Sequence, residues 1–356
     1  MTHPKSLLHQ MTLEQPTQFW NDSCEEQSLR RAIEHGATGA TTNPVIVLEA
    51  IDADRPRWLE FVARLRREHR AETEEQLAWR LVSEAATRGA DLLRPIWEAH
   101  AARRGWICMQ VSPRLYPDAQ AMVAQGRRFA ELRPNMAVKV PAVEGGLKAI
   151  EELVAHGVSV NATVLFTVPQ ALAVAEAMER GLDRADWAGR DVTRIACWVT
   201  IMVGRLDDHL RDQAAAQNLA IDAEQVRQAS TAVMRKAYRL FKERGYRATL
   251  LAAAMRSHHH WSEFVGGDLI VTIPPAWQEK FNASGVEVRP RIDEPVSEAV
   301  VESLRTAFPD FVRAYDEDGL AHEAFVSFGA ATKTLHQFLD GYEKLLRLVR
   351  AVMLPL

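Results

Sequence analysis

The feature that most limits the fold of this chain is an alternation. Short segments rich in β-branched or small residues recur eight times, and helical spacing fills the stretches between them. The strand-like segments fall at 18–23, 37–42, 106–111, 137–140, 158–166, 192–200, 249–254 and 269–273. Strands that alternate with helices make a parallel sheet, because each parallel pair needs a crossover long enough to bring the chain back. No segment leads into the G-x-G-x-x-G turn of an open nucleotide-binding sheet, and eight units in succession favour a closed (β/α)8 TIM barrel. The expectation is one α/β domain over 1–356, with a helical insertion at 55–103 outside the barrel and a helical tail at 294–356. A polar stretch at 282–293 reads as the linker to that tail.

The middle of the chain, NMAVKVPAVEGGLKAIEELVAHGVSVNATVLFT, reads as strand, helix, strand. Lys139 is its oddity: an amine stands where a fully buried strand wants Val or Ile. Burial disfavours an ammonium ion and lowers its pKa, which turns a lysine into a nucleophile able to form a Schiff base. The bland alternative is an edge-strand lysine that discourages aggregation.

Overall charge narrows the partners. A net charge of -4 argues against a general nucleic-acid surface, which needs a basic excess. The three cysteines, Cys24, Cys108 and Cys197, are far apart and fit neither a disulfide framework nor a zinc motif. Residues 1–15 lack the apolar core of a signal peptide, and no apolar run approaches a membrane span. The chain is expected to be a cytoplasmic, enzyme-sized protein without nucleic-acid or membrane partners.

Barrel enzymes carry their working groups where strands end on the C-terminal face. The polar residues at those ends are Asp22, Thr41, Asn43, Gln110, Lys139, Asn161, Thr163, Thr200, Arg205 and Arg256. An amine with a carboxylate suits Schiff-base chemistry on a carbonyl, as nucleophile and proton shuttle. Two guanidinium groups suit a phosphate monoester, whose oxygens their fork matches. Plainer roles stand beside these: Asp22 as a helix cap, Asn43-Pro44 as a turn, and Arg205 and Arg256 as surface ion-pair residues, Arg205 in a network with Asp207 and Asp208. His258, His259 and His260 cannot share one metal ion, since consecutive helical residues point about 100° apart. Trp198 and Trp261 beside these segments read as packing.

Several stretches together resemble the transaldolase family of Schiff-base barrels. They are GATGATTNPVIV, AVKVPAVEGGLKAIEEL, GVSVNATVLFTVPQALAVAEA, TIMVGRLDDHL, AAAMRS and GDLIVTIPP, in family order over about residues 18–280, followed by HQFLDGYEKLL in the tail. The resemblance implies a cofactor-free and metal-free enzyme of carbohydrate metabolism, in the manner of the pentose phosphate pathway, acting on phosphorylated ketoses and aldoses. It leaves room for a homo-oligomer. It makes Lys139 the Schiff-base lysine and Asp22 the general acid/base. Asn43 and Asn161 become amides that hold substrate hydroxyls or the Schiff-base region, and Thr163 a hydroxyl that helps hold the catalytic water. Thr41 and Thr200 then line the substrate site, and Arg205 and Arg256 clamp the phosphate.

Three positions depart from the family pattern. Gln110 stands where transaldolases carry glutamate, as in the family's fructose-6-phosphate aldolase branch. Met202 replaces an aromatic residue, and Ala254 replaces a phosphate-site serine. The expected activity is transfer of a dihydroxyacetone unit from a ketose phosphate, such as fructose 6-phosphate or sedoheptulose 7-phosphate, to an aldehyde. Alternatives are an aldolase-type lyase, a transaldolase for another anionic ketose such as a sulfonated sugar, and a non-catalytic sugar-phosphate-binding barrel.

Overall fold

In the computed structural model, which describes residues 3–354, eight parallel strands close into a barrel in chain order. They are β1 (Gln18–Asn21), β2 (Gly39–Thr41), β3 (Trp106–Gln110), β4 (Met136–Pro141), β5 (Val160–Leu165), β6 (Cys197–Ile201), β7 (Thr249–Ala252) and β8 (Ile270–Ile273). β1 pairs with both β2 and β8, so the sheet has no open edge.

Helix α1 (Leu7–Glu14) precedes β1 and α2 (Glu26–Glu34) follows it; α3 (Pro44–Ala53), α4 (Arg55–Glu68) and α5 (Glu74–Ala99) lie between β2 and β3. After β3, β4 and β5 come α6 (Ala119–Ala130), α7 (Glu144–Ala155) and α8 (Val168–Trp187). Between β6 and β7 run α9 (Val203–Gln217), α10 (Ala223–Arg227) and α11 (Ala229–Arg244). Helices α12 (His259–Ser262) and α13 (Pro275–Asn282) flank β8. The tail holds α14 (Glu298–Ala307), α15 (Pro309–Tyr315) and α16 (Gly329–Met353).

The stretch expected as an outside insertion divides in two. Only α4 is added to the barrel; α5 is the barrel's own crossover from β2 to β3, packed on β3 and α2. Its buried side has no room to spare: a Cβ at Gly89 would stand 2.5 Å from Cδ1 of Ile107 in β3. A parallel β2–β3 pair requires such a helix, and α5 is the one that meets the sheet. β6 starts at Cys197 rather than at 192, because Asp191 accepts from the Thr193 amide (3.1 Å) and turns Val192–Arg194 into a single 3-10 turn. Asp222 and Gln228 open two separate helices, α10 and α11, and α1 was not expected.

Tryptophans fill the bottom of the barrel. Trp20 and Trp106 each meet Trp198 edge-on, at ring-centroid distances of 5.0 and 5.7 Å. Gly39 makes this possible, since a Cβ there would lie 2.5 Å from the Trp20 ring. Trp261 likewise packs, stacked on Phe281 at 5.3 Å. With the floor sealed by large rings, only the C-terminal mouth admits a ligand. α16 lies across that mouth, touching α3, α5, α9 and β5. It is anchored there: Tyr342 donates to Glu75 (2.7 Å), and a Cβ on Gly341 would press on Val45 at 2.8 Å. Among the described residues no helix is long and apolar enough to cross a membrane.

Candidate active site

Strand register brings three of the predicted residues to one level. Gln110 of β3 pairs with Lys139 of β4, and Lys139 with Asn161 of β5; one step up, Pro141 faces Thr163. Lys139 is only 4 % exposed. Among the described residues its amine has no hydrogen-bond partner. Burial pushes its pKa below the ordinary lysine value; the Asp22 carboxylate and Cys108 oppose the shift, and Arg205 adds to it. An amine in this position spends more of its time unprotonated, which is the reactive form.

Asp22 follows β1, and its amide donates to the Ile273 carbonyl of β8 (3.1 Å). It caps no helix: Glu25 does that for α2, accepting from the Gln27 and Ser28 amides. Instead Thr41 donates a 2.5 Å hydrogen bond to Asp22 Oδ1, with Thr272 3.0 Å from the same Thr41 hydroxyl. This fixes one carboxylate oxygen. Asn43, by contrast, caps α3, its side-chain oxygen accepting from the Val45 and Ile46 amides. Only its NH2 group remains to serve a substrate. The turn and substrate readings of Asn43 are therefore compatible.

Beside the lysine, Thr200 donates to Asn161 Oδ1 (2.6 Å), and Asn161 Nδ2 donates to the Cys108 sulfur (3.3 Å). Burial pushes the Cys108 thiol up to about 11, against the pull of Asn161 and Lys139, so it remains a neutral acceptor. This network fixes Asn161 with one amide hydrogen unused. Gln110 Oε1 is buried without a partner, an acceptor placed beside Lys139 that lacks a donor. Thr163 reaches only the Met202 sulfur, at 3.8 Å. A thioether is a weak acceptor, so the Thr163 hydroxyl stays available to water or substrate.

Thr163 owes its place to a bulge. The β5–β6 register shifts between Ala162 and Leu165, and Val164 sits at φ +56°, rare for a β-branched residue. Gln170, fully buried in the first turns of α8, locks the bulge. Its Nε2 donates to the Val164 and Ala142 carbonyls (both 3.0 Å), and its Oε1 accepts from the Phe166 amide (3.0 Å). One side chain thus ties the end of the lysine strand to the threonine strand. The sequence reading missed Gln170, because its partners are backbone groups that sequence does not place.

Arg205 and Arg256 converge at the rim, where α9 begins. α9 has no side-chain cap at Met202, and the Arg205 and Leu206 amides donate to the Met202 carbonyl (3.0 and 3.3 Å). A Cβ on Gly204 would stand 1.9 Å from the Ala254 carbonyl, and Ala254 itself sits at φ +65°. A bare Gly204 thus lets the segment carrying Arg256 close onto the segment carrying Arg205. Arg256 Nε bonds Asp208 (2.9 Å), and its backbone amide donates to His260 Nδ1 (3.0 Å). His260 must then carry its proton on Nε2, which donates to Asp207 (2.7 Å). The anticipated network of Arg205 with Asp207 and Asp208 does not form: Asp207 serves His260, and Asp208 serves Arg256 and Arg211. The three histidines do not converge: His259 turns toward Glu224 and His260 toward Asp207, while the His258 ring meets that of His259 edge-on at 4.2 Å. Arg205 bonds the neutral side chains of Thr334 (3.2 Å) and Gln337 in α16, under the Phe338 ring at 5.7 Å. Burial and the neighbouring Arg256 push Arg205 down to about 10, against Asp22 and Asp208.

A buried amine, a nearby carboxylate and a pair of arginines thus stand at the mouth of a (β/α)8 barrel. The family model described as Transaldolase/Fructose-6-phosphate aldolase matches residues 19–346. The chain is 34% identical to the transaldolase of Thiobacillus denitrificans over 245 residues, which is 66% of this chain and 67% of that protein. It is also 34% identical to transaldolase 1 of Streptomyces avermitilis, over 61% of this chain and 57% of that one. Transaldolase 2 of Nostoc sp. aligns over 91% of this chain and 93% of its own length at 26% identity. The chain belongs to the transaldolase/fructose-6-phosphate aldolase family and is an enzyme of the transaldolase type.

Proposed function

We propose that the enzyme splits a phosphorylated ketose through a Schiff base on Lys139 and passes the resulting three-carbon unit to an aldehyde acceptor. The unpartnered, buried amine of Lys139 beside the charge of Asp22 carries this reading. Lys139 Nζ attacks the C2 carbonyl carbon, and the proton lost from the nitrogen passes by way of the Asp22 carboxylate to the carbonyl oxygen, giving a carbinolamine. A second proton, drawn from solvent through Asp22 and a water near Gln110 and Thr163, goes to that hydroxyl, which leaves as water; the iminium ion remains and Asp22 is again a carboxylate. The iminium accepts the electron pair of the C3–C4 bond as Asp22 removes the C4 hydroxyl proton. An aldose phosphate departs and an enamine of dihydroxyacetone remains on Lys139. Its addition to an aldehyde, followed by hydrolysis of the new iminium, completes a transfer.

A second reading, an aldolase that protonates and hydrolyses the enamine, is favoured by one observation. Gln110 can orient a water through its unpartnered oxygen but cannot exchange a proton as a glutamate does. Release of free dihydroxyacetone with and without an acceptor aldehyde separates the two. For the shared chemistry, the test is borohydride reduction in the presence of fructose 6-phosphate followed by peptide mass analysis. A reduced adduct on Lys139 is expected; an unmodified Lys139 would overturn the Schiff-base assignment for that donor.

A further inference from the structure

We infer that Thr334 and Gln337 of α16 are headgroup-binding residues that supply the neutral hydrogen-bond donors of the anion site, in the role that Ala254 cannot fill. The inference rests on the reading that Arg205 and Arg256 face an anionic substrate group.

Arg205 is the starting point. A half-buried guanidinium normally has a carboxylate against it, because a charge drawn out of water is costly to leave unpaired. Among the described residues Arg205 has no such partner: its hydrogen bonds go to Thr334 Oγ1 and the Gln337 carbonyl oxygen, and its Nε is buried without any. The cation is held ready by neutral acceptors, with a donor left over for an anion.

The two α16 side chains are themselves left with unused donors. Thr334 is 1 % exposed and accepts from Arg205, so that bond orients its oxygen while its hydroxyl hydrogen meets no acceptor among the described residues. Gln337, exposed on α16, uses its carbonyl oxygen on Arg205, which leaves its NH2 group with no acceptor among the described residues. The spacing of Thr334, Gln337 and Phe338 puts them on one helical face beside the guanidinium. A phosphate or sulfonate group seated on Arg205 would therefore meet a hydroxyl and an amide from α16. Ala254, at the rim beside Arg256, has no hydroxyl to offer.

α16 is well suited to hold such donors still. Phe338 and Tyr342 are fully buried, and the Tyr342–Glu75 bond and the Gly341–Val45 contact pin the following turn. The donors come from a docked helix rather than from a mobile loop, so little ordering is lost when the anion binds.

The test is calorimetric titration of the full-length enzyme with inorganic phosphate, on the natural chain and on Thr334→Val, Thr334→Ser and Gln337→Leu. Thr334→Val keeps the shape and removes the hydroxyl; it should weaken phosphate binding about tenfold, with Thr334→Ser recovering most of the loss. Gln337→Leu should weaken it a few-fold, about the worth of one neutral donor. The KM for a phosphorylated ketose should rise relative to that for its unphosphorylated counterpart in Thr334→Val, whereas a merely structural role would move both together. Unchanged phosphate affinity in both Thr334→Val and Gln337→Leu would overturn the assignment. So would absence of phosphate binding by the natural chain, whatever borohydride trapping shows at Lys139. A trapped Lys139 adduct with phosphate binding insensitive to α16 would leave the Schiff-base reading standing and remove this one.

Discussion

The two ends of the active site are built in different ways. At the lysine end, Gln110, Lys139, Asn161, Thr163 and Thr200 lie on three adjacent strands and the next, and ladder pairing sets their relative heights. At the anion end, the start of α9 supplies Arg205, the segment after β7 supplies Arg256, and α16 supplies Thr334 and Gln337. Strand register holds the reacting groups to a fixed geometry, as bond making and breaking requires. The anion end is made of helix ends and loops that meet only because Gly204 and the φ +65° backbone of Ala254 let them close. On the proposed reading, chemistry is fixed by the sheet, while headgroup preference is left to segments that can vary without disturbing it.

Changes at the two ends should fail differently. The largest effect is expected for Lys139→Met, which should reduce carbon–carbon bond cleavage to background while raising stability by about 0.5–2 kcal/mol. The gain arises because an apolar chain replaces a desolvated amine; activity assays and chemical denaturation check it. In the natural enzyme the lowered Lys139 pKa should appear as an acid limb of kcat/KM, which falls as the amine becomes protonated. The linked stability has a definite sign. Between its lowered folded value and 10.5, Lys139 binds fewer protons folded than unfolded, so its contribution to stability rises with pH across that window. Denaturation at several pH values should show this slope flatten in Lys139→Met.

Arg256→Ala comes next. It should raise KM for a phosphorylated ketose about 10- to 100-fold, the worth of a charge-assisted hydrogen bond, with far less change for free dihydroxyacetone. Equal changes for both would remove Arg256 from the anion site. The smallest effect concerns the bulge. Val164→Gly and Val160→Gly remove the same buried side chain, yet only Val164 holds a positive φ that glycine tolerates. Urea unfolding should find Val164→Gly less destabilised than Val160→Gly by about 1–2 kcal/mol.

Much of the lysine end was legible in the chain itself. A lysine inside a β-branched run, a carboxylate after the first strand and hydroxyl or amide residues at later strand ends follow from side-chain alternation and the strand–helix count. Two groups of residues stayed hidden. Gln170 and the Val164 bulge depend on backbone carbonyls that become neighbours only when β4 and β5 align. Thr334 and Gln337 sit in a helix whose sequence reads as ordinary amphipathic surface, far along the chain from Arg205. The long stretch before β3 misled for a related reason: periodicity identifies α4 and α5 as helices, but only contact with the sheet tells the crossover from the addition.

By itself, the sequence determined that this protein is an eightfold strand–helix barrel with a lysine in its fourth strand, because local periodicity is a property of the chain. The tertiary structure decided what surrounds that amine. It sent Asp208 to Arg256, gave Arg205 only neutral partners, and brought α16 across the mouth, since pairing between distant side chains depends on which surfaces packing brings together.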